Sequence, residues 1–243
     1  MEEQQKAAEK QAEDLIKELQ QEITDLKKRN TELEQISHTD DHLHLLQVCQ
    51  HLSHHRECRI LLVILDVTLD PDTAHPYLIL SDDEKQVSDG DIKQDVPENP
   101  KRFDYVVCVL AKQEFSSGRF YYEVQVKGKT EWSLGVVRES INRVGNLIYT
   151  PVNGYWAVIL RNENQYTACD NPSLSLSLKV KPEIVGVFVD YEEGLVSFYD
   201  VGSSSHIYSF TDQTFTDKLY PYFSPGLNHG GKNSKPLIIS PVR

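Results

Sequence analysis

The chain of 243 residues divides into two chemically different parts near position 70. Positions 1–70 contain no glycine, proline or aromatic residue, so all 12 Gly, 11 Pro, 2 Trp, 12 Tyr and 8 Phe lie beyond them. Glycine and proline most strongly interrupt helices, whereas Glu, Gln, Lys, Leu and Ala, which dominate the first 36 positions, favour them. The first part is therefore predicted to be helical, and the second must fold in another way.

Two seven-residue series, three positions apart, run through the predicted helix. They are Ala12, Leu19, Leu26 and Leu33 in one series and Ile16, Ile23 and Asn30 in the other. This spacing is typical of the a/d seam of a coiled coil, and an Asn in the seam fixes register or partner number. We expect a coiled-coil helix over 1–40 that pairs with a second copy or with a related chain. The alternative is a single amphipathic helix that folds back on the next domain.

The next segment, 41–65, is predicted to be a helical linker that docks on the following domain. It is rich in histidine, and Cys49, His54 and Cys58 could share one face of a helix. A structural zinc site needs four ligands with turn-forming spacers between pairs, so no metal site is predicted here. The apolar run 60–65 is either a buried strand or a helix end, because periodicity alone does not decide between them.

Beyond position 69 the pattern changes to short strands separated by turn signals. Over 119–127, apolar and polar residues alternate, which predicts one buried and one solvated face. Segment 184–189 is apolar on both faces, and Gly194 can take the positive φ of a tight hairpin that leads into 195–199. Further strands are predicted at 105–111, 132–138, 155–160, 207–210 and 237–240. The fold class is therefore mainly β, a two-sheet antiparallel β-sandwich preceded by an α-helical coiled coil.

Charge and motif content exclude several functions. With 37 acidic and 25 basic residues the formal net charge is -12, so no nucleic-acid partner is expected. The longest apolar run has six residues, whereas a membrane helix needs about 20, so no membrane partner is expected. The four cysteines form no C-x-x-C pair and the first residues are charged, which favours a cytoplasmic location. No catalytic motif or phosphate-binding loop occurs, so we expect no enzyme activity and no cofactor.

Several strings in the second part resemble one known family. They are DVTLDPDTAH at 66–75, SSGRFYYEVQV at 116–126, WSLGVVRESINR at 132–143, VDYEEGLVSFYD at 189–200 and YPYFSPGLNHGGKN at 220–233. In this order they resemble the PRY-SPRY domain of tripartite-motif (TRIM) proteins over almost all of 66–243. Tyr122 and Val189 stand where the family usually has Trp and Leu, and both keep a bulky, largely apolar side chain in a strand. The stretch 15–47 resembles the end of the TRIM coiled coil, particularly in the fish bloodthirsty-related group.

The resemblance implies a lectin-like jelly roll made of a PRY segment over 66–115 and a SPRY domain over 116–243. SPRY domains bind a protein or peptide target in a shallow pocket formed by loops and adjoining strands. The positions that match the pocket are Ser133, Ile159, Arg161, Tyr166, Leu227, Asn228 and His229. Trp132 and Trp156, which have apolar neighbours, are expected in the core instead.

A TRIM protein normally opens with a RING finger and a B-box, and this sequence contains neither pattern of Cys/His zinc pairs. We therefore expect a non-catalytic recognition protein that dimerises through the coiled coil. By the resemblance, it is the substrate-recognition part of a TRIM-type ubiquitin ligase. The alternatives are a complete ubiquitin ligase in its own right and a decoy that pairs with full-length TRIM chains.

Overall fold

The structure, a computed structural model, describes residues 62–241. The chain divides into two units, Met1–Arg56 and Glu57–Arg243, and every described residue belongs to the second. The predicted coiled-coil seam and the cysteines and histidine considered for a metal site lie outside the described residues.

The described residues form fourteen strands and one short 3₁₀ turn, Pro151–Asn153. In chain order the strands are β1 (Leu62–Ile64), β2 (Leu78–Leu80), β3 (Gln86–Asp89), β4 (Val109–Leu110), β5 (Arg119–Gln125), β6 (Trp132–Arg138), β7 (Tyr155–Arg161), β8 (Gln165–Ala168), β9 (Leu174–Leu176), β10 (Ile184–Asp190), β11 (Leu195–Asp200), β12 (Ser205–Phe210), β13 (Leu219–Ser224) and β14 (Leu237–Ser240).

The strands make two sheets. The eight-stranded sheet has the order β12-β11-β10-β5-β14-β3-β2, with β1 paired in parallel to the first half of β5. The six-stranded sheet has the order β4-β13-β6-β7-β8-β9, and all its pairs are antiparallel. The predicted two-sheet antiparallel sandwich is confirmed, with one parallel pair added.

The core lies between the sheets and is filled by alternate residues of the central strands. Tyr122 of β5, Trp132 of β6 and Trp156 of β7 are at most 3% exposed, so both tryptophans occupy the predicted core positions. Burying a large apolar side chain stabilises a fold by roughly 1.5–3 kcal/mol, so these central strands hold the sandwich together. Gly194 has φ +61 between β10 and β11, as the predicted hairpin requires.

The prediction of a solvated face on β5 is wrong for Tyr121 and Glu123. These side chains are 5% and 4% exposed. The Tyr121 ring lies over Gly186 of the neighbouring β10, where a Cβ atom would meet the phenol oxygen at 2.3 Å. Its hydroxyl donates to Glu123 Oε1 at 2.9 Å. The alternation of a single strand does not show which residues the neighbouring strands place beside its polar face. Here Gly186 of β10 has no side chain, so the Tyr121 ring can lie over it.

The described part of the apolar run 60–65 contains strand β1, so the run is a strand and not a helix end. Strand β1 pairs with Arg119, Phe120 and Tyr121 of β5. The first half of β5 is free to pair with β1 because β14, on the same side, pairs only with the second half. The linker predicted as helical over 41–65 therefore contains a strand over residues 62–64. The strand is not fully buried either, since Val63 is 45% exposed.

Candidate binding groove

A groove of about 1030 Å³ opens where the turn at 75–77, the loop 90–108 and the residue Leu227 meet. Three exposed apolar side chains form part of its lining: Tyr77 is 39% exposed, Tyr105 64% and Leu227 50%. Buried Phe103 and half-buried Val107 also line it. Charged residues line the groove as well, so it combines large apolar side chains that a partner can cover with charged ones, Lys93, Glu98, Arg102 and Asp104.

Arg102 makes several of the hydrogen bonds that hold the loop 90–108 in place. The Arg102 guanidinium donates hydrogen bonds to the carbonyl oxygens of Pro71 at 2.8 Å, Ala74 at 2.5 Å and Pro97 at 3.3 Å. Phe103 adds a backbone hydrogen bond to Thr73. These bonds tie a long loop without regular structure to the segment before β2, so its side chains are presented in a fixed arrangement.

His75 connects two sides of the groove as a neutral group. Its Nδ1 atom accepts the Tyr77 backbone N–H at 3.3 Å, and the ring also hydrogen bonds to the backbone of Asp104. Burial lowers the pKa of His75 because it disfavours the charged ring, although Asp89 and Asp104 oppose the shift. At neutral pH the imidazole therefore acts as an uncharged bridge between turn and loop.

Leu227 is positioned by a buried asparagine. Asn233, 2% exposed, accepts at Oδ1 the backbone N–H groups of Thr130 at 2.8 Å and Glu131 at 3.3 Å. Its Nδ2 atom donates to the carbonyl oxygens of Glu131 at 3.1 Å, Pro225 at 2.8 Å and Leu227 at 3.0 Å. One side chain thus joins the loop 225–233 to the turn between β5 and β6 and fixes the Leu227 end of the groove.

Asn228 and His229, which follow Leu227, lie in the same loop. The Asn228 backbone N–H donates to Asp89 Oδ2 at 2.9 Å, and its side-chain amide donates to Asp91. His229 Nε2 lies 3.0 Å from Glu131 Oε2. Both predicted site residues therefore stand beside the groove, with their side chains engaged in holding the loop.

Ser133, Ile159 and Arg161 come together on the outer face of the six-stranded sheet. Ser133 lies opposite Ile159 in the β6–β7 pair, and Arg161 Nη2 donates to Ser133 Oγ at 3.0 Å. This face adjoins the groove, because the hydroxyl of Ser224, opposite Ser133 in the β13–β6 pair, donates to the carbonyl oxygen of Val107 at 2.7 Å.

The structure does not bring Tyr166 to this surface. Its side chain is 6% exposed and belongs to the core, with its ring centroid 6.2 Å from that of Trp132 in an edge-on contact. Tyr166 lies opposite the core residue Leu160 in the β7–β8 pair, so it shares the inward face of the sheet.

The sequence did not reveal the groove residues of the loop 90–108. The segment 105–111 was predicted to be one strand, but only Val109–Leu110 is. Tyr105 is 64% exposed and lines the groove instead. The available signal was Pro97 and Pro100, which are typical of a fixed loop rather than a strand.

Within 62–241, no three His, Cys, Asp or Glu side chains form a group that could hold a metal ion. In the same range, no helix is long and apolar enough to span a bilayer.

Three family models match the sequence. They are the SPRY domain over residues 119–237, the SPRY-associated domain, PRY, over residues 67–115, and the TRIM protein coiled-coil region over residues 1–87. The first two together cover the groove and the described strands from β2 to β13, and they leave out β1 and most of β14.

Curated proteins are similar over the same region. Human erythroid membrane-associated protein is 50% identical over 173 residues, which are 71% of this chain and 36% of that protein. Human pyrin is 48% identical over 178 residues, 73% of this chain and 23% of that protein. The rat E3 ubiquitin-protein ligase TRIM69 is 49% identical over 173 residues, 71% of this chain and 34% of that protein. The chain thus spans about a third or less of these relatives.

Solved structures share the fold. The TRIM65 PSpry domain aligns with a TM-score of 0.62 at 22% identity, over 73% of this chain and 90% of that one. The stonustoxin structure aligns with a TM-score of 0.63 at 24% identity, over 73% of this chain and 29% of that one. At this level of identity the likeness concerns the fold alone.

Proposed function

This chain belongs to the PRY-SPRY proteins of the TRIM family, a family of protein-interaction modules, and from that premise we propose that its groove binds an extended segment of a protein target. The observation that carries the proposal is the convergence of Tyr77, Tyr105 and Leu227 on one groove. Exposed apolar side chains grouped at a concave site mark interaction surfaces, and tyrosines are frequent binding hot spots.

The surrounding structure supports this proposal because the groove is formed in advance. Arg102 fixes one wall and Asn233 the other through hydrogen bonds to backbone atoms. A preformed site loses little conformational entropy when it binds, so a small number of apolar contacts can provide useful affinity.

Leu227→Asp is expected to weaken target binding about 30-fold, since a hot-spot contact of roughly 2 kcal/mol is lost when a charged side chain replaces an apolar one. The measurement is fluorescence anisotropy with peptides selected by display against the full chain. Leu174→Asp on β9 is the matched control, because Leu174 is 49% exposed and Leu227 50%. Wild-type affinity for Leu227→Asp, or equal losses for both variants, would contradict the proposal.

We further propose that the bound protein is a substrate for ubiquitin transfer. The support is the similarity to rat TRIM69, which is named an E3 ubiquitin-protein ligase. In this proposal the described sandwich supplies recognition by the groove and forms or breaks no bond itself. Target choice then depends on the groove residues, in particular on Tyr105 and Leu227.

Dimerisation through the predicted seam is the remaining part of the proposed function. It is supported by the heptad spacing and by the match of residues 1–87 to the TRIM coiled coil. Two linked grooves would raise the effective affinity for a repeated or dimeric target. Light scattering should give the full chain twice the mass of a monomer and the Leu19→Asp, Leu26→Asp double variant the mass of one chain. A monomeric mass for the wild-type chain would contradict the proposed dimerisation.

A further inference from the structure

Arg161 sits half-buried on the outer face of the six-stranded sheet in a fixed orientation. Its Nη1 atom donates to the carbonyl oxygens of Trp132 at 2.8 Å and Leu160 at 2.7 Å, and Nη2 donates to Ser133 Oγ at 3.0 Å. Ser133 is fully buried, so its hydroxyl is a stable support for the guanidinium. The cation is thus held in position before any partner arrives.

No carboxylate among residues 62–241 forms an ion pair with Arg161. Arg119, in contrast, lies 2.5 Å from Asp190. A guanidinium has five N–H donors, and Arg161 uses three of them on oxygens of this chain. The Nε–H group and one Nη2–H group are left, two neighbouring donors of the kind that a carboxylate accepts with its two oxygens.

The strand residues beside Arg161 on this face are uncharged. Ser224, Ser133, Ile159 and Thr167 lie opposite one another across four strands and therefore share its face. Glu131, two positions before Ser133 on the same face, has a side chain that is 19% exposed and lies 3.0 Å from His229 Nε2. Arg161 is accordingly the cation that a ligand would meet on this part of the sheet, with the Glu131 carboxylate on the same face.

We infer that Arg161 binds an aspartate or glutamate side chain of the same target segment whose apolar residue fills the groove. This inference rests on the proposed function and names the chemistry that the site selects. Two neighbouring free donors of one guanidinium fit the two oxygens of a carboxylate. The carboxylate accepts hydrogen bonds from the two remaining N–H groups of Arg161 and neutralises its charge.

The geometry also gives the spacing of the two contacts. The groove lining at Val107 contacts Ser224 of β13, and Ser224 lies opposite Ser133 of β6. The Arg161 guanidinium is hydrogen bonded to Ser133 and Trp132 and therefore lies over β6, about one strand spacing of roughly 4.8 Å from Ser224. An extended peptide advances about 3.3 Å per residue, so the acidic residue should lie within a few positions of the apolar one.

The inference is tested by selecting random displayed peptides against the full wild-type chain and, in parallel, against Arg161→Glu. Wild type should enrich Asp or Glu at one position within a few residues of a large apolar residue, and Arg161→Glu should enrich Lys or Arg there. Changing the acid of a selected peptide to its amide should weaken binding to wild type about tenfold and leave binding to Arg161→Glu unchanged or stronger. Amidation of the peptide C-terminus should have no effect, since the carboxylate is a side chain.

The outcomes separate this inference from the proposed function. Peptides that depend on Leu227 but show no acidic position, or keep the same acid with Arg161→Glu, overturn the inference and leave the groove proposal standing. A selection that enriches no peptide overturns both. Thermal melting checks that the variant folds. If it does not, Arg161→Gln decides, because it must lose the acidic preference without gaining a basic one.

Discussion

Asn233→Ala is expected to lower the free energy of unfolding by about 4 kcal/mol, because it removes five hydrogen bonds to backbone groups, one of them buried and four part-buried, and each contributes roughly 0.5–1.5 kcal/mol. The side chain that is removed makes five hydrogen bonds and is 2% exposed. No single substitution of a surface loop residue should approach this effect. Urea denaturation of the full chain, followed by tryptophan fluorescence, measures it.

Asn153→Ala is the control for this prediction. Asn153 is exposed and its amide makes one side-chain hydrogen bond, to the carbonyl oxygen of Ile148 at 3.1 Å. Its loss should cost less than about 1 kcal/mol. Equal destabilisation by both variants would mean that the loop 225–233 is not held by the Asn233 amide. Asn233→Ala should also weaken peptide binding while still folded, because the Leu227 carbonyl loses its anchor.

Gly135→Ala is expected to prevent folding of the sandwich. A Cβ atom at this position in β6 would lie 2.0 Å from the Trp156 carbonyl oxygen and 2.8 Å from the Ala157 Cα atom, both in the backbone of β7. A backbone inside a sheet cannot move aside as a flexible side chain can, and steric overlap of this kind costs more than about 4 kcal/mol. Expression yield and circular dichroism should show no folded protein.

Gly202→Ala is the matched control, since the nearest atom to its added Cβ would be Asp200 Oδ1 at an ordinary 3.6 Å. This variant should express and melt as wild type does. A folded Gly135→Ala protein with wild-type stability would show that β6 and β7 do not approach as described. The same strands carry Ser133 and Arg161, so that result would also remove the sheet-face site.

The sequence predicted the strands whose apolar residues alternate or are continuous. The segments 132–138 and 237–240 agree with β6 and β14 at both ends. Strands β8 and β9 were not predicted, because they are short and their pairing depends on β7. Strand β13 was not predicted either. It contains Pro221, and a proline argues against an inner strand. In the structure, β4 pairs with Tyr222 and Phe223 of β13 and not with Pro221.

The two parts of the candidate site differ in how far they could be predicted. Ser133, Ile159 and Arg161 follow from the alternation of two well-defined strands and from the family resemblance. The loop 90–108 could not be predicted, because its conformation depends on hydrogen bonds from Arg102 to Pro71 and Ala74, about 30 positions earlier. Local sequence carries little information about such long-range contacts.

Hydrogen–deuterium exchange of the full chain, with and without a selected peptide, tests most directly whether the target lies in the groove. Our account predicts slower exchange in 75–77, 90–108 and 225–229, with a smaller effect at the end of β7 near Arg161. Protection confined to segments that do not line the groove, for example β9 or the β10–β11 hairpin, would contradict it.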